Sequence, residues 1–365
     1  MYWEVLSLTK DRLSKFIGLD TLSIVDAMGL IDANAKGILF ITDENGKLKG
    51  SLTDGDIRRW ILKAGDLNAS VEKAMALSPK YLFQEEKIKA KSYMQQEVIT
   101  AIPIIDNSMR ILDVLLLSDE DQDETGTLKK DLSSVPVVIM AGGKGTRLYP
   151  FTKILPKPLI PIGDTPIVER ILNCFVEYGI NEFYMTVNYK KGMIRSYFSD
   201  INPSYDIEYV EENKPLGTGG SIKLIDKKFD KPLFIANCDA LILADYGDLY
   251  DYHIKSGNVI TMVSALKNIQ VPYGVLHSGE NGELISIEEK PKLSYFINTG
   301  MYVINPDTIE LIPDDTMFHM THLVEAVMKR GGKVGMYPVS EDSFLDMGEF
   351  SEMKRMEEKL NIVSN

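Results

Sequence analysis

Lys144, Arg147, Lys153 and Lys157 fall within AGGKGTRLYPFTKILPKP, residues 141–158, a stretch that holds no Asp or Glu. The chain around it has a formal net charge of −13, so this local excess of cations marks a place for an anion. Gly142, Gly143 and Gly145 let the backbone turn tightly and aim N–H groups at a phosphate. Arg147 offers a planar fork suited to a polyphosphate, and Lys157 offers a point charge. Pro156 and Pro158 fix φ on both sides of Lys157, which lowers the entropic cost of placing that ammonium. A merely basic surface loop has no need of those prolines. The segment is not a P-loop, because GxxxxGK[ST] is absent. Nor is it the dinucleotide fingerprint GxGxxG, whose third glycine position is Leu148.

Further along, KPLGTGGSI (214–222) places Gly217, Thr218, Gly219 and Gly220 where backbone can pack close to a flat ring, with Thr218 also able to cap the segment that follows. IANCDALI (235–242) puts Asp239 at the end of an apolar strand, where a lone carboxylate is a cap or a metal ligand; Cys238 beside it reads as a small strand residue. VPYGVL, SIEEKPK, INTGMYVI and FLDMGEFSEM contribute Gly274, Glu289, Lys290, Asn298, Thr299 and Asp346. A Glu-Lys pair by itself is ordinary surface. His319 and His322 can share one helix face, but no cysteine or clear third ligand accompanies them. Phe350, Met353, Met356 and Leu360 are spaced for one buried helical face.

These residues need a frame. From 135 onward strand and helix alternate: VPVVIMAGG (135–143) reads as a buried strand, TPIVERILNCFVEYG (165–179) as an amphipathic helix, NEFYMTVNY (181–189) as a strand and KPLFIANCDALI (231–242) as another. Such alternation predicts a parallel sheet covered by helices. Ligands of such sheets gather beyond the C-terminal strand ends, where GGKGTR and NCD both fall. At 365 residues the chain predicts two or three domains. SDEDQDETGTLKKDLSS (118–134) is hydrophilic and aperiodic, and places a linker at 119–134. Before it, GILFITDENGKLKGSLTDGDIRRWIL (37–62) and AIPIIDNSMRILDVLLLSDED (101–121) repeat a strand–turn–strand pattern. That repeat resembles a pair of CBS modules, about 10–65 and 66–118, within a domain of 1–118. The resemblance implies an α+β pair that commonly dimerises and in many cases binds an adenine nucleotide. Thr53 and Asp56 match its Gly-x-x-Thr-x-x-Asp pattern, whereas the corresponding stretch Asp113–Asp119 has lost the Gly and the Thr. Capping of a helix explains Thr53 and Asp56 equally well, so docking or dimerisation is the favoured use.

AGGKGTRLYPFTKILPKPLIPI closely resembles the signature of the sugar-1-phosphate nucleotidylyltransferases, with Phe151 where Leu is usual, and the later motifs follow in that family's order across about 135–360. The resemblance implies an α/β fold for 135–365: a Rossmann-like nucleotide-diphospho-sugar transferase domain with a mainly parallel mixed sheet. It implies NTP plus hexose 1-phosphate giving NDP-sugar plus pyrophosphate. Arg147 and Lys157 would be catalytic; Ala141, Gly142, Gly143, Gly145, Thr146, Gly217, Thr218 and Gly219 would bind nucleotide; Gly274, Glu289, Lys290, Asn298 and Thr299 would bind the sugar phosphate; Asp239 and Asp346 would hold Mg²⁺. The LGTGG form is similar to that of guanylyltransferases, so GTP is favoured over UTP or dTTP. A catalytically inactive nucleotide sensor and a cytidylyl transfer to a phosphoalcohol are the other readings. The acidic balance argues against nucleic-acid and membrane-surface partners. No apolar run approaches the span of a bilayer, the N-terminus lacks an apolar signal core, and two cysteines suit a reducing cytoplasm. A homo-oligomer is expected from the CBS resemblance.

Overall fold

The computed structural model describes residues 13–34, 36–97, 99–116, 129–339, 341, 343–348 and 350–360. The chain divides into two compact units, Met1–Leu128 and Lys129–Asn365. In the first, β1 (Ile17–Leu19), α1 (Ile24–Asn34), β2 (Ile38–Thr42), β3 (Leu48–Thr53) and α2 (Asp54–Leu62) are followed by β4 (Leu82–Phe83), α3 (Ala90–Glu97), β5 (Ala101–Ile105) and β6 (Ile111–Leu116). β1 runs parallel to β2 and β2 antiparallel to β3; β4, β5 and β6 repeat that arrangement. The repeat in the sequence is thus a repeat in space, the CBS pair. Its two hairpin turns are built alike. Asp43 accepts from the N–H groups of Asn45 and Lys47 at 2.8 and 3.0 Å, and Asp106 from those of Ser108 and Arg110 at 2.8 and 2.9 Å. These backbone donors hold both carboxyls below the usual range. The turns also join one another, since Leu48 N–H donates to the Met109 carbonyl at 2.8 Å. Residues 67–76, placed by the sequence in the second module, hydrogen-bond back to the first: Ile24 N–H to Ala69 O, Val25 N–H to Leu67 O, and Ser51 and Ala76 to each other. Ser118 and Asp119 of the second module lie outside the described residues.

The second unit contains β7 (Val137–Ala141), β8 (Pro161–Ile162), β9 (Thr165–Pro166), α4 (Ile167–Val176), β10 (Glu182–Val187), α5 (Lys191–Ile201), β11 (Asp206–Glu211), β12 (Leu233–Asn237), β13 (Ala240–Ile242), α6 (Tyr246–Ser256), β14 (Ile260–Gln270), β15 (Val275–Ser278), β16 (Leu284–Glu288), β17 (Lys292–Ile304), α7 (Met320–Lys329), β18 (Val334–Val339), β19 (Phe344–Asp346) and α8 (Phe350–Lys359). Seven strands form one mixed sheet in the order β11-β10-β7-β12-β17-β14-β18. Only β17 runs against its neighbours. β7 is buried along its whole length, as a strand covered on both faces must be. Its alternate residues feed two cores: Val137 and Ile139 pack with α4, Val138 and Met140 with α7. Ile167, Val168, Ile171, Leu172 and Phe175 form the buried stripe of α4.

Two sequence expectations change. The strand expected over 231–242 breaks at Cys238–Asp239; β13 leaves the main sheet and pairs antiparallel with β19. The expected linker is packed at its described end: Leu132 is 1% exposed, its N–H donates to Tyr178 O at 2.8 Å, and Lys129 pairs with Glu177. Among the described residues no helix is long and apolar enough to cross a membrane.

Candidate active site

After β7 the chain places β10 and β11 on one side and β12 on the other. That reversal opens a crevice at the C-terminal strand ends, where open α/β sheets take their ligands. A cavity of about 350 Å³ lies there, and Gly142, Gly143, Gly145, Thr146, Arg147, Lys157, Gly217, Thr218 and Asp239 all line it. Of the other residues proposed from sequence for the nucleotide, Ala141 is the buried last residue of β7 and Gly219 packs against the His319–Met320 backbone.

The basic loop is clamped from outside. Tyr189 donates its hydroxyl to Thr152 O at 3.0 Å, and Lys190 donates to the carbonyls of Lys153 and Ile154 at 2.6 and 2.8 Å. Gly145 adopts φ +63, and a Cβ there would lie 2.9 Å from both Lys157 Cβ and Thr152 Cγ2. The loop therefore closes on Lys157 only with glycine at this position. Pro156, Lys157 and Pro158 are all buried, Lys157 to 8% exposure. Its ammonium donates to the Asp239 carboxylate. Lys144 and Lys153 point to solvent instead, Lys153 over the Tyr149 ring.

Asp239 and Asp346 come together because β13 and β19 pair with Ala240 opposite Asp346, and Met347 N–H donates to Asp239 O at 2.9 Å. Burial, and after it the charge of Asp239, raises the Asp346 carboxyl above the usual range, against the opposing pull of Lys157 and Arg147. Among the described residues no cluster of three or more His, Cys, Asp or Glu is gathered for a metal. Two carboxylates brought near one another by the β13–β19 pairing, with the Lys157 ammonium on Asp239, nonetheless fit a hard divalent cation whose remaining ligands are phosphate oxygens. Asp346 also lines a second cavity of about 250 Å³, which shares Arg147 with the first and adds Lys267, Ile297, Glu341 and Arg355.

Glu212 was not singled out by sequence. It follows β11, is 6% exposed, lies against Gly142 and enters the first cavity. Its Oε2 accepts from Leu216 N–H at 3.3 Å. Burial raises this carboxyl above its ordinary range. Glu211 beside it faces outward to Lys191 and Arg195, so strand alternation alone separates the two. Nothing in the sequence distinguishes it from Glu211. Cys238 also lines the cavity, and burial pushes its thiol far up, which keeps it protonated and unreactive.

The residues proposed for the sugar are dispersed. Gly274, Glu289 and Lys290 are exposed near the tip of the long β14–β17 ribbon, with the Glu289 carboxylate close to Gly274. Asn298 donates to Tyr302 OH at 2.6 Å. Thr299 is buried and donates to Val263 O at 2.8 Å. None of the five lines either cavity. In the first unit, Thr53 and Asp56 form a capping box at the start of α2, and Asp56 is further held by Arg59 at 2.6 Å. His319 and His322 hydrogen-bond locally, His319 N–H to His322 Nδ1 at 3.2 Å.

The nucleotidyl transferase family model matches residues 136–361 and the CBS domain model residues 17–63. The chain is 34% identical over 184 residues to a mannose-1-phosphate guanyltransferase of Debaryomyces hansenii, covering 48% of this chain and 51% of the relative. It is 33% identical over 195 residues to a UTP–glucose-1-phosphate uridylyltransferase of Synechocystis sp., covering 48% and 50%. The chain thus spans about half the length of these curated relatives. A crystal structure from Bacillus anthracis, described as that of a glucose-1-phosphate thymidylyltransferase, superposes with a TM-score of 0.51 at 20% identity, covering 63% of this chain and 97% of that one. At that identity the likeness is one of fold.

Proposed function

This chain belongs to the nucleotidyl transferase family, and from that premise we propose that it transfers a nucleoside monophosphate, GMP in our reading, from an NTP to a hexose 1-phosphate. A phosphate oxygen of the sugar forms a bond to the α-phosphorus. The bond from that phosphorus to the bridging oxygen breaks, and pyrophosphate leaves. The observation that carries this reading is the meeting of Arg147, Lys157, Asp239 and Asp346 around one crevice. The attacking oxygen is already anionic, so the chain needs no base or covalent nucleophile; its task is to hold anions together and spread charge. Lys157 bridges the sugar phosphate and the α-phosphate. Arg147 holds the leaving pyrophosphate. Asp239 and Asp346 would hold Mg²⁺, which when bound neutralises phosphate charge. The glycine loops at 142–145 and 217–219 cradle the nucleotide. The hexose phosphate enters through the second cavity; Gly274, Glu289, Lys290, Asn298 and Thr299, none of which lines it, are proposed for the sugar on the family resemblance alone. We take 1–118, 119–134 and 135–365 as working boundaries, with the packed residues 129–134 going with the transferase.

Relatives named for guanylyl and for uridylyl transfer both match this chain; our preference for guanine is argued from Glu212. An ionised Glu212 is an acceptor only. Guanine offers two adjacent donors on one edge, whereas uracil and thymine offer one N–H between two carbonyls that a carboxylate repels. Glu212→Gln is expected to raise KM for GTP roughly tenfold to a hundredfold, the worth of a hydrogen bond to a charged group. Because the Glu212 carboxyl is raised, it takes up its proton at a higher pH than an ordinary glutamate. KM for GTP in the native chain therefore rises as pH falls through that raised value, and the Gln variant lacks this step. Equal KM values at all pH would exclude Glu212 from reading the base.

Pyrophosphate release from GTP, UTP, dTTP, CTP and ATP, each with a panel of hexose 1-phosphates and Mg²⁺, tests the whole reading. Release with GTP and one sugar supports it. Release with UTP or dTTP keeps the chemistry and overturns the base. Silence from folded protein favours a nucleotide-sensing role. For the CBS pair we infer scaffolding, because Thr53 and Asp56 already satisfy one another and Arg59. AMP, ADP and ATP are expected to leave the melting temperature of that unit unchanged; a rise of several degrees would restore the sensing role.

A further inference from the structure

The glycine loop at 217–220 does not hold its own shape. Its partner is the segment 316–320 at the start of α7. Phe318 N–H donates to Leu216 O at 2.8 Å, and Gly219 and Gly220 N–H both donate to Phe318 O at 2.9 Å. Met320 N–H donates to Thr218 Oγ1 at 3.1 Å. Gly217 has φ +78, and a Cβ there would lie 2.7 Å from Phe318 O and 3.0 Å from His319 Nδ1. Glycine at 217 is thus required by this packing as much as by any ligand. One side chain of the segment reaches back to the loop. His319 Nδ1 lies 3.4 Å from the donating Thr218 N–H and 3.5 Å from Thr218 Oγ1.

We infer that His319 is a positioning residue for nucleotide binding, acting by fixing Thr218 and Gly217 where they line the cavity. The Thr218 oxygen already accepts from Met320, so its own proton is free to turn toward His319. Nδ1 is then the acceptor, and the ring proton sits on Nε2. His319 does not line the cavity itself; it sets the wall that does. A mispositioned wall weakens nucleotide binding and leaves the reacting groups at Lys157, Asp239 and Asp346 untouched. The inference rests on the nucleotidyl-transfer reading of this cavity.

The test is steady-state kinetics and equilibrium titration with GTP, UTP and dTTP on the full chain carrying His319→Ala, His319→Asn or His319→Gln. Asparagine can place Oδ1 where Nδ1 stands; glutamine can only imitate Nε2. His319→Ala is expected to raise KM and Kd for the accepted nucleotide about tenfold, as for one lost hydrogen bond. Turnover and KM for the hexose 1-phosphate should stay within about threefold. His319→Asn should recover most of the loss, and His319→Gln should behave like alanine. Should the alanine variant fail to fold, the Asn–Gln contrast carries the test. Unchanged nucleotide KM, a fall in turnover alone, or equal rescue by Asn and Gln would each overturn the role of His319. A native chain that binds none of the three nucleotides overturns the functional reading and this inference with it. A native chain that binds, with an alanine variant that binds equally, overturns the inference alone.

Discussion

Lys157→Ala lowers the rate of pyrophosphate release by at least about two orders of magnitude, the usual worth of one preorganised charge donor at a site of developing charge. The expectation rests on how much of the fold is devoted to this one ammonium. Pro156 and Pro158 bracket it and share its burial. Gly145 makes room for its stem. Tyr189 and Lys190, from the segment after β10, clamp the loop that leads to it. The ammonium meets the Asp239 carboxylate, so it stands where phosphates would gather around a cation held by that carboxylate. Lys157→Arg should not restore the rate, because a planar fork cannot occupy a space packed around an ammonium. Initial rates with saturating substrates, on variants whose circular dichroism matches the native chain, decide the matter. Near-normal turnover in a folded Lys157→Ala variant would remove Lys157 from the chemistry.

Asp346→Asn separates function from stability in opposite directions. Activity should fall by at least about two orders of magnitude, since an amide neither carries charge nor holds a hard cation as a carboxylate does. The metal-free variant should nonetheless melt at a higher temperature than the native chain. Asp346 is raised above the ordinary carboxyl range by burial and by the neighbouring Asp239. A carboxyl that binds its proton more tightly when folded loses stability as pH rises from the ordinary value through the raised one, and its ionised form opposes folding at neutral pH. Asparagine keeps the shape and removes the charge. Paired thermal melts without divalent cations, together with release assays with Mg²⁺, check both halves. Full activity would exclude Asp346 from the metal site. A lower melting temperature would mean that its charge is stabilised by partners beyond Lys157 and Arg147. The combination expected here, a less active and more stable variant, is the mark of a group kept for chemistry at a cost in stability.

The sequence by itself determined the local parts of this protein. Glycine and proline spacing in residues 141–158 specified a tight turn that leads to a lysine held between two prolines, because those two residue types act on the backbone directly. The buried run 137–141 and the amphipathic stripe of α4 specified a covered parallel strand and its helix, because each periodicity belongs to one element type. The two hairpin turns of the CBS pair were legible for the same reason, although the aspartates that hold them were not. What the tertiary structure alone decided is which distant segments meet. The break at Cys238–Asp239 is invisible in an apolar run, and only the pairing of β13 with β19 brings Asp239 to Asp346. Glu211 and Glu212 are identical in type and adjacent in the chain; at the end of β11 one faces solvent and the next enters the cavity. Thr53 and Asp56 matched a ligand pattern, yet their own hydrogen bonds close the capping box. His319 had no assigned partner in the sequence, and the fold makes it the neighbour of Thr218. Spacing along a chain encodes dihedral angles and faces, whereas contact between segments a hundred residues apart depends on strand order and register, and these are set by the packing of the whole sheet.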